Sequence, residues 1–438
     1  MDTQTTLHET QKQSVLNQDQ LDAMVDLHGR FLVGRLGGRR AILQNFDLSG
    51  LSFAGKDLRQ VDFSGCSMMD MDLRGANFQE ARIYACDLSG SDLSECNFVR
   101  ADLRGSRIEF ANLKNTNLNK ADLRVGGVAR DGEAYNAAKG VNFKGANLTG
   151  AQLTGALAGK ADFSDAIMSG INIMGADLRQ AEMEGADLSG AKVVGANLVG
   201  AHLKSAIMVG VDLSGMTDND ADFSEAITDE NVGVAVTEMD VSLAKKIDDH
   251  RLWVKSAGQE GSQLDLQGID MRPLETLKQE KLTAIKAKGA RFFGMNLYQV
   301  QLQSADLNNC DFRRCDMEGA DLRGSSFRNA RFNHANLKNA SFEPLMFGNA
   351  LSEKKFSPSD FEGASLSYAD FSGCKLKSAS FRNADLVFAN FEGADLRDVD
   401  FTGAKIDNAN FDNAKMDGVT MRPSGSLFNM DALAETAD

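Results

Sequence analysis

The chain has 438 residues, long enough for two or three ordinary domains. Its formal charge of −15 argues against a broad nucleic-acid footprint or an anionic membrane surface as a partner. Four prolines and 41 glycines disfavour compositional disorder, and no run approaches the roughly 18 apolar residues of a spanning helix.

The first stretch, MDTQTTLHETQKQSVLNQDQ, is polar and lacks the apolar core of a signal peptide, so residues 1–19 read as a flexible tail and the chain as cytoplasmic. Leu27–Phe53, LHGRFLVGRLGGRRAILQNFDLSGLSF, then introduces a five-residue phrase: a small residue, a polar residue, a large apolar centre and two polar or Gly positions. Centres keep one frame from Leu48 to Leu123, pause over Val125–Gly140, resume at Phe143 and reach Leu213, with Phe223 still in frame. Mid-chain, Asp249–Met271 (DHRLWVKSAGQEGSQLDLQGIDM) is built like Leu27–Phe53. Each copy has a His followed by an aromatic, His28 with Phe31 and His250 with Trp253, then a Gly-containing turn and a pentapeptide start. An array end exposes apolar core and unpaired strand edge. Each copy therefore reads as a cap of short helix and hairpin over the first coil, the alternative being a ligand site at the His and aromatic pair. Arg272–Ala290 reads as an amphipathic, net basic insert. A second tract of centres runs from Phe292 to Phe347, breaks over Gly348–Asp360, and a third runs from Phe361 to Met421. The expected division is a first capped array over 20–230, a helical linker with a second capped array over 231–421, and a tail over 422–438.

A period of five cannot be a buried-face helix, because the apolar residues would spiral around every side. Frequent Gly would also cost about 1 kcal/mol each relative to Ala. In an extended chain the small residue and the centre point inward, the Asp or Asn between them points out, and the last two residues turn a corner. The third tract sets the number of sides. Its centres alternate as Phe361, Leu366, Phe371, Leu376, Phe381, Leu386, Phe391 and Leu396. Four pentapeptides per turn stack the Phe residues on two opposite walls and the aliphatic residues on the other two, which fills a square interior evenly.

ADLRG at Ala101–Gly105, ANLTG at Ala146–Gly150, ADLSG at Ala186–Gly190 and ADLRG at Ala320–Gly324 resemble the phrase of the pentapeptide-repeat family. The resemblance covers most of 46–228 and 290–421 and implies an all-β solenoid, a right-handed four-sided (quadrilateral) β-helix. It also implies one specific activity to consider, since some members mimic duplex DNA and protect or inhibit DNA gyrase.

No Walker A loop, GxSxG, HExxH or CxxC occurs, so neither catalysis nor a cofactor or metal site is expected. Cys66, Cys86, Cys96, Cys310, Cys315 and Cys374 all take the small position, as buried apolar residues. A disulfide between Cys66 and Cys86, 20 residues apart, is the alternative for that pair. His202 and His334 fall on outward positions. Ser214–His250 holds ten Asp/Glu against two Lys, and outward Asp residues of the arrays often have Arg two positions on, so no continuous acidic stripe forms. The expected function is a non-enzymatic scaffold binding an unidentified protein partner, with DNA gyrase as the alternative and no direct nucleic-acid or membrane contact. Partner contacts are expected in the interrupting loops, at Arg130, Asp131 and Tyr135 and at Lys354, Lys355 and Phe356; tolerated surface insertions are the other reading. The tail residues Leu427, Phe428, Met430 and Leu433 are expected to cover the last coil or to join two copies in a homodimer.

Overall fold

The computed structural model describes residues 14–126, 140–214, 217, 220–347 and 355–421, with only the backbone of Phe347 and Lys355. The chain forms two compact units, Met1–Asn231 and Val232–Asp438.

The first unit opens with a two-residue strand β1 (Ser14–Val15) and helix α1 (Gln18–Leu32). Asn17 caps α1 reciprocally: its side chain accepts the Gln20 N–H, and the Gln20 side chain accepts the Asn17 N–H, both at 3.0 Å. Leu21, Val25 and His28, spaced three and four apart, form the buried stripe of α1. Short parallel strands follow, β2 (Ile42–Gln44) on β4 (Asp62–Ser64) and β1 on β3 (Phe46–Asp47).

From there the chain winds as a coil. Asp47, Ser52, Asp57 and Asp62 form parallel bridges with Ser67, Asp72, Asn77 and Arg82. Four bridging residues five apart, each paired 20 residues on, give four walls per turn and one pentapeptide per wall. Centres such as Phe78, Leu88, Phe163 and Leu188 fill the interior and are essentially inaccessible. In the second unit Phe361 stacks on Phe381 (4.7 Å) and Phe371 on Phe391 (5.0 Å), while Phe371 meets Phe381 edge-on across the core (5.8 Å, 88°). The two Phe walls and two aliphatic walls expected from the alternation are therefore present.

The small position tolerates Cys, Ser and Thr because each donates to the carbonyl of a centre one coil back. Cys86 Sγ reaches Phe63 O at 2.9 Å, Cys96 reaches Leu73 O at 2.9 Å, and Ser106 and Thr116 reach Ile83 O and Leu93 O at 2.7 Å. All six thiols are free, including Cys66 and Cys86. Burial pushes the Cys96 thiol up to about 12 and raises Cys310, Cys315 and Cys374 as well, which leaves them protonated and unreactive.

The interruptions show in the bridge spacing. Arg107 pairs with Asn142, 35 residues on, and Ser326 with Asp360, 34 residues on, so the regular spacing of 20 is exceeded there by fifteen and fourteen residues. Asp270 pairs with Arg291, 21 residues on, so one extra residue is taken up in the 3₁₀ turn Arg272–Leu274. This corrects the reading of Arg272–Ala290 as an insert. Thr276, Lys281 and Lys286 bridge to Asn296, Gln301 and Asp306, and Leu277, Leu282 and Ala287 are core. The segment looked foreign because its outward positions carry Lys where the phrase usually has Asp or Asn.

Two further expectations are corrected. Neither cap contains a hairpin: α1 is followed by the parallel strand β2, and the second unit's helix α2 (Leu243–Lys255) by a turn and then the coil at Leu264. A chain entering a parallel coil comes in already aligned with it, so no reversal is needed. Phe347 is not a centre of the second tract. The coil stops after Phe342, and Phe347 ends β5 (Leu345–Phe347), which pairs antiparallel with β6 (Lys355–Ser357) in a hairpin leaving the array.

Candidate functional site

Both arrays open with the same set of contacts. His28 accepts the Ala41 N–H on Nδ1 (3.1 Å) and its Nε2 contacts Arg59 O (2.9 Å); His250 does the same with Leu264 N–H (3.1 Å) and Thr283 O (2.9 Å). Because Nδ1 faces a donor, the ring is the neutral tautomer with the proton on Nε2 donated to the carbonyl. Burial draws both His pKa values below 6.5, against the opposing pull of the carbonyl bond. The paired aromatics stack on the imidazoles, Phe31 at 5.7 Å and Trp253 at 5.6 Å. Arg40 Nε–H and Gln263 Nε2–H reach the next corner carbonyls, Gln60 O (2.6 Å) and Ala284 O (2.7 Å). The imidazoles are thus committed to backbone, and no group of His, Cys, Asp or Glu among the described residues is arranged to hold a metal ion.

Two parts of this set escape sequence reasoning. One is a parallel pairing ahead of each helix: Val15 of β1 bridges Asp47 and Ala235 forms an isolated bridge to Asp270, with Leu16 and Val236 packed on the respective cores. The available signal is an isolated apolar residue before the helix, too little to register as a repeat. The other is Gln18, whose side-chain amide accepts Ser52 N–H and donates to Ser52 O, both at 2.9 Å. It supplies one peptide group's worth of strand to an otherwise open edge.

Of the loop residues, Arg130, Asp131, Tyr135 and Lys354 lie outside the described residues, as does the tail 422–438 with Leu427, Phe428, Met430 and Leu433. Lys355 and Phe356 fall on β6. Phe356 stands opposite Met346 in the antiparallel register, and both are exposed, at 55% and 58%. The hairpin is seated on a corner glycine, where Leu345 packs within 3.1–3.3 Å of the space a Cβ on Gly324 would take, and Ser357 Oγ–H reaches Gly324 O (3.4 Å). The ladder therefore holds two exposed apolar side chains opposite one another. Of the two scattered His residues, His202 is exposed, whereas His334 is half-buried on a corner and stacks on Tyr368 at 4.9 Å.

The walls neutralise themselves. Arg59, Arg74, Arg104, Arg124, Arg179, Arg323 and Arg397 each fork onto the Asp two residues earlier at 2.6–2.9 Å. The Asp Oδ1 also accepts the backbone N–H of the same Arg, as at Asp57–Arg59 (3.3 Å), so the carboxylate is tied to the corner. Arg59, by side-chain bonding, holds the Asp57 carboxyl below its ordinary value, and Arg179 does the same for Asp177. At Asp311 burial raises the carboxyl, and the Arg313 and Arg331 charges with the Arg313 fork (2.7 Å) more than offset it. Arg82 and Arg104 also flank Tyr84, at 5.2 and 5.5 Å from the ring. Exposed pairs of this kind contribute little stability; their consequence is a surface with little net field.

Two family models match the chain. One described as a pentapeptide repeat region covers residues 39–113 and 354–425, and one of pentapeptide repeats (8 copies) covers 142–180, 181–215, 281–314 and 305–343. Similar solved structures include QnrB1, a plasmid-mediated fluoroquinolone resistance protein (16% identity, TM-score 0.35, 46% of this chain and 92% of that one). A pentapeptide repeat protein from the thylakoid lumen of Arabidopsis thaliana is 33% identical (TM-score 0.21, 26% of this chain and 67% of that one). One from the cyanobacterium Cyanothece is 25% identical (TM-score 0.24, 29% and 91%). No curated protein matches the chain.

Proposed function

The chain belongs to the pentapeptide-repeat family, and from that premise we propose that it is a non-enzymatic scaffold whose arrays, right-handed as the family implies, hold partner-binding segments rigidly. The observation that carries this reading is the Met346–Phe356 pair, presented on a hairpin beside walls whose charges are internally paired. We place the helix and His of each unit as a cap that closes the first coil, and the six buried free thiols fit a reducing cytoplasmic setting. Gyrase mimicry is the weaker reading, because a DNA-like potential needs a continuous acidic stripe. The stacked outward positions Asn142, Asp162, Glu182, His202 and Asp222 are mixed instead.

A pull-down from the native organism, repeated with Val125–Gly140 or Gly348–Asp360 deleted, tests the scaffold. Loss of specific partners on deletion supports it, and an unchanged partner set sinks the assignment to these segments. A gyrase supercoiling assay is expected to show no specific inhibition or protection; a potent effect reverses the ranking.

A further inference from the structure

The first coil of each unit leaves one strand edge facing away from the array. Asp62 N–H donates to Ala41 O (3.1 Å), so pairing with β4 uses the groups flanking Ile42, and the N–H and C=O of Ile42 point to the other edge. Among the described residues β2 has β4 as its one strand neighbour. The second unit has the same arrangement at Leu264–Leu266: Lys286 N–H reaches Leu264 O (3.0 Å) and Leu266 N–H reaches Lys286 O (2.7 Å). There the edge residue is Asp265, an exposed charge of the kind that deters strand addition. In the first unit it is Ile42, a β-branched apolar residue 55% exposed.

The surroundings of Ile42 differ from the rest of the molecule in the same direction. A groove of about 440 Å³ runs between α1 and β2, lined by Met24, Leu27 and Leu43 with Arg39 and Arg40. Gly29–Gln44 contains Arg30, Arg35, Arg39 and Arg40 and no acidic residue, on a chain of net charge −15. All four are exposed, and none has a salt bridge among the described residues, whereas the wall arginines fork onto their own Asp. Val33 and Leu36 between them are 64% and 101% exposed.

We propose that this edge docks an extended acidic peptide segment of a partner protein. The segment adds as a strand to β2 through the N–H and C=O of Ile42, sets an apolar side chain against Met24, Leu27 and Leu43, and places carboxylates at Arg39 and Arg40. A polyanion such as nucleic acid fits the arginines but has no use for a main-chain edge beside an apolar groove. The proposal rests on the scaffold reading but uses a surface separate from the hairpin.

The test measures anisotropy of a fluorescein-labelled peptide, Glu-Val-Glu-Ile-Glu-Val-Glu, with the full-length chain. Three controls accompany it: a version with Lys for Glu, one with Pro at the central position, and a single-stranded DNA of equal charge. Binding of the acidic peptide is expected, with about a tenfold loss for the Pro peptide, which lacks a main-chain donor, and for Ile42→Asp, which sets a carboxylate against the acidic strand at that edge. Arg39→Glu with Arg40→Glu is expected to reverse the preference toward the Lys peptide. Met346→Ser with Phe356→Ser is expected to leave peptide binding unchanged, so a failure at the edge is distinguishable from a failure of the hairpin. Ile42→Asp copies the second unit's own residue, and unchanged hydrogen exchange in β4 confirms that the coil survives it. The proposal is overturned if the acidic peptide fails to bind, if binding ignores both Ile42→Asp and the Pro peptide, or if DNA binds as well and as insensitively. It is also overturned if sedimentation shows a dimer of the free chain that Ile42→Asp dissolves, since the occupant is then a second copy.

Discussion

Gly373 and Gly393 hold the same corner conformation, φ +67 and +66, yet a Cβ on Gly373 would run into Asn339 Oδ1 of the adjacent coil (2.6 Å), while one on Gly393 would meet nothing within 4 Å. The same Asx-over-Gly contact recurs at Gly65, Gly90 and Gly403, against Asn45, Asp70 and Asn383. Gly373→Ala is therefore expected to lower the denaturation midpoint more than Gly393→Ala. Both variants share about 1 kcal/mol of left-handed strain, and Asn339→Ala is expected to erase the excess; equal effects of the two would refute the steric cause. The cap histidines give a pH prediction. Protonation would put a hydrogen on Nδ1 of His28 facing the Ala41 N–H, and likewise on His250 facing Leu264. With the folded pKa drawn below 6.5 by burial, the unfolded state binds the proton first. The stabilisation is whole above 6.5 and is lost as pH falls through the lowered folded value. Denaturation between pH 7.5 and about 5 is expected to show this loss, and His28→Ala with His250→Ala to abolish that part of it. Each substitution is expected to lower stability by about 1–3 kcal/mol by leaving Ala41 N–H or Leu264 N–H unpaired.

At the scale of elements, strand surrogates cover part of the first coil of each array. β1 covers one wall of the first coil, and Gln18 of α1 covers the Ser52 edge with a single side-chain amide. Gln18→Ala leaves a donor and an acceptor of Ser52 to solvent. It is expected to speed exchange of the Ser52 amide and cost about 1–2 kcal/mol, while Gln18→Glu, which keeps only the acceptor role, falls between; no change in exchange would show that the contact is idle. The helices were legible from the His and aromatic spacing of the two entry segments. The absence of a cap hairpin was not, because LVGRLGG and KSAGQEG have turn composition either way and only the parallel pairing of β2 with β4 decides. The hairpin that does exist, β5 with β6, was readable only as an interruption, since its register depends on where the coil releases the chain after Phe342.

At the scale of the molecule, the two units have separate cores. One is built from Leu21 to Val211 and the other from Val236 to Phe401, and no buried residue belongs to both. Because a solenoid is held by nearest-neighbour coils, residues 1–231 and 232–438 are each expected to fold when produced alone. Circular dichroism and thermal unfolding of the halves check this. A half that aggregates or lacks a cooperative transition would mean that the units depend on one another. Buried centres in mid-array are expected to be intolerant in either half: Phe381→Ala, stacked on both Phe361 and Phe401, should cost about 3–5 kcal/mol.

The sequence by itself determined the coil. A strict period of five with alternating Phe and Leu centres admits one way to bury every centre, four walls to a turn, and the small position identified the cysteines as filler. It also marked the two entry segments as copies of one element, because His28 and His250 recur in the same context. Only the tertiary structure decided what the backbone does where the phrase is absent or degraded. Lys281 and Lys286 proved to be coil because an outward position accepts any polar residue, while Phe347 proved not to be because an apolar residue in frame can still leave the array. The pairing of His28 with Ala41 and Arg59 and the open edge at Ile42 depend on residues 13 to 31 apart. No local pattern encodes them, since they exist only once one coil is laid on the next.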